Sequence, residues 1–391
     1  MLERSRDRVQ SPADFVERAR ALAPMITAAA PRIEQDGAIS ADVIAAMHDA
    51  RLFRLLIPRV YDGEELQPVW YVQAVEAIAK ADASTAWCMA QASGSSLGAA
   101  YLAPAVARDV FGARDAALAS GPPGTNSRAI AVEGGFRVTG SWPFASGIGH
   151  ATWLGAHCTI CDAHGSPRRE EDGRAVERTL LFPKACAVIT ESWDVMGLRG
   201  TGSHRYAVKD LFVREAYSFT RDAAAERRLD APLYRFSILN MFGFGFAAVA
   251  LGIARAMLDA FVQLAAEKAP HGSARRLRED AVVQHEVALA EARVRAARAY
   301  LLTTLQEAWD IAVVDGFTPA GSALMRLASV YVIREAGAVV AAIYHAAGSS
   351  AIFRAQEFER RFRDMNTVSQ QLQARGSHFQ LAGQHLLGLH S

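Results

Sequence analysis

Trp193-Asp194-Val195-Met196-Gly197-Leu198-Arg199-Gly200-Thr201-Gly202-Ser203 is the most informative stretch of the chain. Three glycines and two hydroxyl side chains fall within its last seven residues, between two runs, 178–189 and 206–213, that read as strands. Glycine lets the backbone turn and lets a flat ligand come close to bare peptide groups. Thr201 and Ser203 add side-chain hydroxyls at the same place. Taken alone, the stretch is either a glycine-rich hairpin or one wall of a ligand site.

Three compositional zones surround it. Residues 12 to about 115 are alanine-rich with helical spacing: Val43, Ala46, Met47 and Ala50 recur at i, i+3, i+4 and i+7, and Ser11-Pro12 and Ser40 read as helix starts. The character changes at Ser120-Gly121-Pro122-Pro123-Gly124. From there to about residue 216 the chain reads as strands and turns, with Gly134-Gly135 marking a hairpin between 129–132 and 136–139. Beyond residue 238 the spacing predicts four long helices, about 238–268, 276–313, 320–347 and 355–389, separated at Pro270-His271-Gly272, Asp315-Gly316 and Gly348-Ser349-Ser350. Short connections between long amphipathic segments predict an antiparallel bundle. The expected fold class is therefore α+β, mostly α. It comprises an N-terminal helical domain (1–117), a central β-barrel or sandwich domain (118–218) and a C-terminal four-helix bundle (219–391).

At 391 residues the chain can bury more than one core, and its formal net charge of +1 carries no basic stripe of the kind nucleic acids need. The start, MLERSRDRVQSPADF, has no apolar core of a secretory signal. The longest apolar run, 238–254, falls short of the ~20 residues of a membrane span, so a buried helix is expected there. Cys158 and Cys161 have CxxC spacing without a second pair, and the eleven histidines are scattered without an HExxH. A metal-free, cytoplasmic protein with buried thiols is the default expectation.

Four motifs in order carry a resemblance. They are Asp82-Ala83-Ser84-Thr85-Ala86-Trp87, then Gly135-Phe136-Arg137-Val138-Thr139-Gly140-Ser141-Trp142-Pro143-Phe144-Ala145-Ser146-Gly147, the stretch 193–203, and Arg363-Asp364. Over residues 15 to 388 the chain resembles the acyl-CoA dehydrogenase superfamily, and more closely its branch of reduced-flavin-dependent monooxygenases. The resemblance implies the oxygenase component of a two-component system that hydroxylates or oxidises a small substrate with O2. It also implies reduced FAD or FMN, a separate NAD(P)H:flavin reductase and a homotetramer built through the bundle. No nicotinamide-type GxGxxG follows a strand, in keeping with flavin reduction elsewhere.

The same resemblance assigns site residues. Ser146 stands near flavin N5 and the peroxide that oxygen forms on the ring. Thr201 and Ser203 face the isoalloxazine or its phosphate-bearing chain, and Arg199 pairs with phosphate. Trp142 and Phe144 pack on flavin or substrate. Gly348 and Ser349 lie in a pyrophosphate-contacting loop reached from a neighbouring subunit. Each has a plainer alternative: a turn serine, an exposed arginine, core aromatics, a helix cap.

The chain also departs from the family. Counting eight residues from Arg363-Asp364 to the dehydrogenase glutamate reaches Leu372, which cannot accept a proton. Where many hydroxylating members carry histidines, this chain has Asn366, Gln370 and Gln371, and Gln91 on the helix after Asp82. Amides hydrogen-bond but do not titrate near neutral pH. They suit a substrate already nucleophilic, such as an indole, an amine or a thioether. An FAD-dependent acyl-CoA dehydrogenase and a flavin-binding homologue without chemistry are the alternatives. The phenylalanines Phe242, Phe244 and Phe246 point to an apolar, aromatic ligand or to a packed core.

Overall fold

The computed structural model describes residues 11–124, 126–269, 271–272, 274–314 and 316–389; the readings of the first ten residues, Pro270 and Asp315 lie outside them. Five helices come first: α1 (Pro12–Asp36), α2 (Ala41–Asp49), α3 (Pro68–Ala81), α4 (Ala83–Ser96) and α5 (Pro104–Phe111). Ser11 and Ser40 precede α1 and α2 as expected. Asp82 caps α4, its Oδ2 accepting from Thr85 N at 2.7 Å and Thr85 Oγ1 at 2.8 Å, which satisfies an orphan donor of the first turn.

Eight strands follow: β1 (Leu118–Gly121), β2 (Arg128–Val132), β3 (Gly135–Trp142), β4 (Trp153–Cys161), β5 (Glu177–Pro183), β6 (Val188–Thr190), β7 (Arg205–Arg214) and β8 (Ser218–Phe219). They form one mixed sheet in the order β6-β7-β3-β2-β4-β5-β8, with β1 also pairing with β4. The predicted β2–β3 hairpin is present. The run 178–189 is not one strand; a 3-10 turn at Lys184–Cys186 divides it into β5 and β6, which sit far apart in the sheet. The sheet folds over on itself: Phe182 of β5 meets Tyr206 of β7 edge-on although β3, β2 and β4 lie between those strands in the order, and Trp142 of β3 stacks on the same tyrosine.

The C-terminal helices are α6 (Ile238–Glu267), α7 (Ala281–Val314), α8 (Pro319–Ala347), α9 (Glu357–Val368) and α10 (Ser377–Leu386). The predicted fourth helix is thus two helices. Ser369 Oγ donates to Asn366 O at 2.7 Å and Gln371 Oε1 accepts from Gln373 N at 2.7 Å, local bonds that compete with helix continuation. By length and composition α6 and Gly321–Ile352 could each cross a membrane. The composition of α6 is accounted for by its packing against α3, α4, α8 and α9, with most of its apolar side chains buried.

The N-terminal helices and the bundle share one hydrophobic cluster, whereas the sheet owns a second, centred on Trp142, Tyr206 and Leu154. Cys158 and Cys161 are buried free thiols on β4.

Candidate active site

The glycine-rich loop 193–203 lies where the sheet meets α1, α4 and α9. A Cβ on Gly197 would lie 2.3 Å from Arg363 O, and one on Gly200 would lie 2.2 Å from Ile33 Cγ2. These two glycines are therefore required by close approach of α9 and α1, not by a ligand alone. The Arg363-Asp364 pair fastens the loop from the other side. Asp364 Oδ1 accepts from Leu198 N at 2.6 Å, while Arg363 donates to Met196 O and pairs with Glu34 at 2.7 Å and Glu359 at 2.8 Å. Burial raises Asp364 to about 7 against the lowering effect of the Leu198 N–H, and the nearby Asp82 and Glu34 add to the rise.

Held this way, the loop presents its hydroxyls to Ser146. Trp87 Nε1 donates to Ser146 Oγ at 3.0 Å; Ser146 Oγ and Ser203 Oγ are 2.7 Å apart, as are Ser203 Oγ and Thr201 Oγ1; Thr201 donates to Leu198 O at 2.8 Å. The direction of the whole string follows from its ends. A carbonyl only accepts and an indole N–H only donates, and each hydroxyl has a single proton. Thr201 spends its proton on Leu198 O, so Ser203 must donate to Thr201 and Ser146 to Ser203. Ser146 is left with one free lone pair and no free proton. It is an acceptor toward any ligand.

Thr201 and Ser203 are almost fully buried, and their hydroxyls hold that of Ser146. Trp142 is likewise not at the surface. It has no exposed area, and its indole N–H donates to His157 O at 2.9 Å inside the sheet core, because the alternation of β3 points it inward. Phe144 is half exposed, in a left-handed backbone conformation, with its ring edge-on to Trp193 at 5.8 Å. Arg199 is partly exposed, 3.7 Å from Glu34 and bonded to Val195 O at 3.2 Å.

The amides are not gathered. Asn366 Nδ2 donates to Phe362 O of its own helix at 2.7 Å, and Gln370 is exposed in the break after α9. Gln91 is half-buried on α4, and its side chain makes no hydrogen bond among the described residues. Gly348 closes α8 at φ +59°, its N–H returning to His345 O, with exposed Ser349, Ile352 and Phe353 after it. No described contact joins Gly348 or Ser349 to the Ser146 string.

A histidine absent from the sequence reading lies nearby. His157 of β4 lines a narrow cleft with Ser95, Ser120, Phe219, Arg221 and Phe242. Its Nδ1 is 2.8 Å from Thr179 Oγ1, and burial, helped by the charge of Arg221, lowers it to about 3. It is neutral at working pH and serves as a hydrogen-bond partner. Its signal was the in-register pair His157–Thr179 of β4 and β5, visible only once the strands are aligned. Three parallel rings link the cleft to the string: Phe242 stacks on Phe246 at 6.0 Å, and Phe246 on Trp87 at 4.0 Å. Phe244 points into the core.

A helical layer, a folded sheet and a helix bundle thus meet at a buried hydroxyl string beside an exposed aromatic ring. Family models described as acyl-CoA dehydrogenase, N-terminal domain, and acyl-CoA dehydrogenase, C-terminal domain, match residues 11–105 and 244–375. The chain is 31% identical over 336 residues to an indole-3-acetate monooxygenase of Pseudomonas putida, covering 85% of this chain and 83% of that one. It is 26% identical to the oxygenase component of an FADH2-dependent resorcinol hydroxylase of a Rhizobium species, covering 96% and 94%. XiaF of a Streptomyces species, solved with FADH2 and glycerol, superposes with a TM-score of 0.89 at 23% identity, over 97% and 96% of the two chains. The chain belongs to the flavin-dependent monooxygenase branch of the acyl-CoA dehydrogenase superfamily. It is an enzyme that uses flavin and O2.

Proposed function

We propose that this oxygenase receives reduced flavin from a separate NAD(P)H:flavin reductase and oxygenates a small apolar, aromatic or heteroaromatic substrate of the indole type. The observation that carries the reading is the direction of the Trp87–Ser146–Ser203–Thr201 string. It turns Ser146 into an acceptor, which suits the N–H groups that a reduced flavin ring carries and an oxidised one lacks.

Bound reduced flavin supplies the two electrons that activate O2, so that one oxygen atom enters the substrate and the other leaves as water. The residues present fit such a group. Phe144, exposed beside Trp193, offers an aromatic face for a flat ring, next to the open lone pair of Ser146. Trp142 sets the Phe144–Ser146 turn from inside the sheet. Arg199 is available to phosphate. Gly348 and Ser349, exposed with Ile352 and Phe353 at the end of α8, would contact the pyrophosphate of flavin held by a neighbouring subunit in a homotetramer. Gln91 and the uncommitted amide oxygen of Asn366 are the uncharged groups to which this reading assigns hydrogen bonds to substrate, whereas exposed Gln370 has no such role within one chain. Neutral His157 adds another. None of these groups can strip a phenolic proton at neutral pH, which favours a ring already nucleophilic, such as an indole. Balanced charge and the burial of α6 support a cytoplasmic enzyme without a nucleic-acid or membrane partner.

The test is a single turnover with photochemically reduced flavin, 18O2 and indole. The expected product carries one 18O atom. Formation of hydrogen peroxide alone, with every aromatic substrate offered left unchanged, would overturn the reading.

A further inference from the structure

Hydrogen bonds tie the backbone of the turn after β3 to its neighbours. Ala145 N donates to His204 O at 3.1 Å and Gly147 N to Thr201 O at 2.9 Å, while Lys184 Nζ donates to Ile148 O at 3.2 Å and to Gly149 O at 2.9 Å. Among these anchors sits Gly147 at φ +78°, a left-handed conformation in a residue whose backbone is free to leave it. Rotation there moves the Ser146 hydroxyl out of line with Trp87 and Ser203, whose bonds set its direction.

His150 closes this freedom. A Cβ on Gly147 would lie 2.9 Å from His150 Cε1 and 3.0 Å from its Nε2, with Cys88 Cβ of α4 at 3.6 Å. The imidazole therefore covers the space in which any other residue carries its side chain. The same ring packs on Phe53, with centroids 5.4 Å apart and planes tilted by 41°. Phe53 is buried in the 3-10 turn Leu52–Arg54 after α2, and its own ring meets His48 of α2 at 4.8 Å. The N-terminal helical layer thus reaches the Ser146 turn through an imidazole.

The ring acts there by shape and not by charge. Burial, with the positive charges of His48 and Lys184, lowers it to about 4, so it is neutral at pH 7. A base that weak contributes little to proton transfer at that pH. Its ring nitrogens make no hydrogen bond among the described residues. What remains is close contact of a flat ring with bare backbone.

We propose that His150 is a positioning residue for the oxygenase reaction: its ring, packed against Phe53 and Gly147, fixes the turn in which Ser146 accepts from Trp87 and keeps a lone pair for reduced flavin. The part that concerns flavin rests on the functional reading above, whereas the effect of His150 on the Trp87–Ser146 bond is independent of it.

The experiment compares the full-length wild type, His150→Ala and His150→Phe, first without flavin. The indole N–H resonance of Trp87, identified by its loss in Trp87→Phe, reports the bond to Ser146 in 15N-edited spectra. His150→Ala should shift or broaden it. His150→Phe keeps a ring without nitrogens and should restore it, while the Trp142 resonance, whose bond lies inside the sheet core, stays in place. Affinities for oxidised and, anaerobically, reduced flavin are then measured. His150→Ala should lose severalfold of the wild-type preference for the reduced form, and His150→Phe should retain it. Phe53→Leu removes the ring that backs His150; it should act in the same direction more weakly, and it carries the test should His150→Ala not fold.

If His150→Ala lowers only the melting temperature and leaves the Trp87 resonance unmoved, the residue merely supports the fold and the proposal is overturned. A His150→Phe protein that melts like the wild type yet behaves like His150→Ala would overturn it too. A Trp87 resonance that follows His150 while no aromatic substrate gains 18O defeats the functional reading alone. 18O incorporation by a wild type whose Trp87 resonance is indifferent to His150 defeats this inference alone.

Discussion

Asp364 Oδ1 accepts the Leu198 N–H at 2.6 Å, joining α9 to the glycine-rich loop across 166 residues of sequence. This bond anchors the residue whose carbonyl, one peptide unit further on, ends the hydroxyl string, since Leu198 O is the acceptor of Thr201. Because Asp364 is fully buried, its charge state is coupled to stability. Its folded-state value of about 7 lies above the ordinary carboxylate value of 3.8, so the folded protein holds this proton more tightly than the unfolded chain. Stability from this group is therefore greatest at low pH and is lost as pH rises from about 4 through 7. Asp364→Asn keeps an oxygen acceptor for Leu198 and removes the titration. Its melting temperature relative to wild type should rise between pH 5 and pH 8, by an amount equivalent to about 1–4 kcal/mol. A constant difference across that range would contradict the assignment.

The two close-approach glycines should differ in cost. Alanine at Gly197 meets main-chain atoms of Arg363, which cannot move without shifting α9, whereas alanine at Gly200 meets first the Cγ2 branch methyl of Ile33, a side-chain rather than a main-chain atom. Denaturant unfolding should show Gly197→Ala losing about 3 kcal/mol or more and Gly200→Ala about 1–2 kcal/mol.

Ser203→Ala cuts the string between Ser146 and Thr201. Ser146 then keeps its proton free to turn outward and becomes a donor as well as an acceptor. Affinity for reduced flavin relative to oxidised flavin should fall severalfold, measured by anaerobic and aerobic titration, together with a stability loss of about 1–3 kcal/mol. A purely structural serine would lower stability without altering the ratio.

Gly94→Ala offers a test of the cleft wall. Helix propensity favours alanine by about 1 kcal/mol, which offsets part of the clash with Phe242, so the melting temperature should change little. The displaced ring narrows the cleft, and KM for an aromatic substrate should rise about fivefold or more while flavin affinity stays constant. Unchanged KM would place the substrate elsewhere.

Much of this was legible before the structure. Helix starts at Ser11 and Ser40 and the hairpin at Gly134 depend on local chemistry, and the structure has them. The positions Ser146, Thr201 and Ser203 were legible as hydroxyls in motifs, but their order in a string was not, because its first donor, Trp87, lies 59 residues away. Whether Trp142 is a ligand contact or a core aromatic was open in the sequence, because an aromatic in a motif does not reveal which face of β3 it occupies. The break after α9 escaped because Ser369 and Gln371 act through bonds that periodicity does not register.

The central claim is that these residues direct oxygen from O2 into an aromatic ring using flavin reduced elsewhere. The most direct measurement mixes the protein with pre-reduced flavin, indole and 18O2 in the absence of reductase, and compares wild type with Ser146→Ala by mass spectrometry. The account predicts one 18O atom in the wild-type product and a lower yield of product per reduced flavin in the variant, the remainder appearing as hydrogen peroxide. Substrate oxidation without 18O incorporation, or the same yield in both proteins, would contradict it.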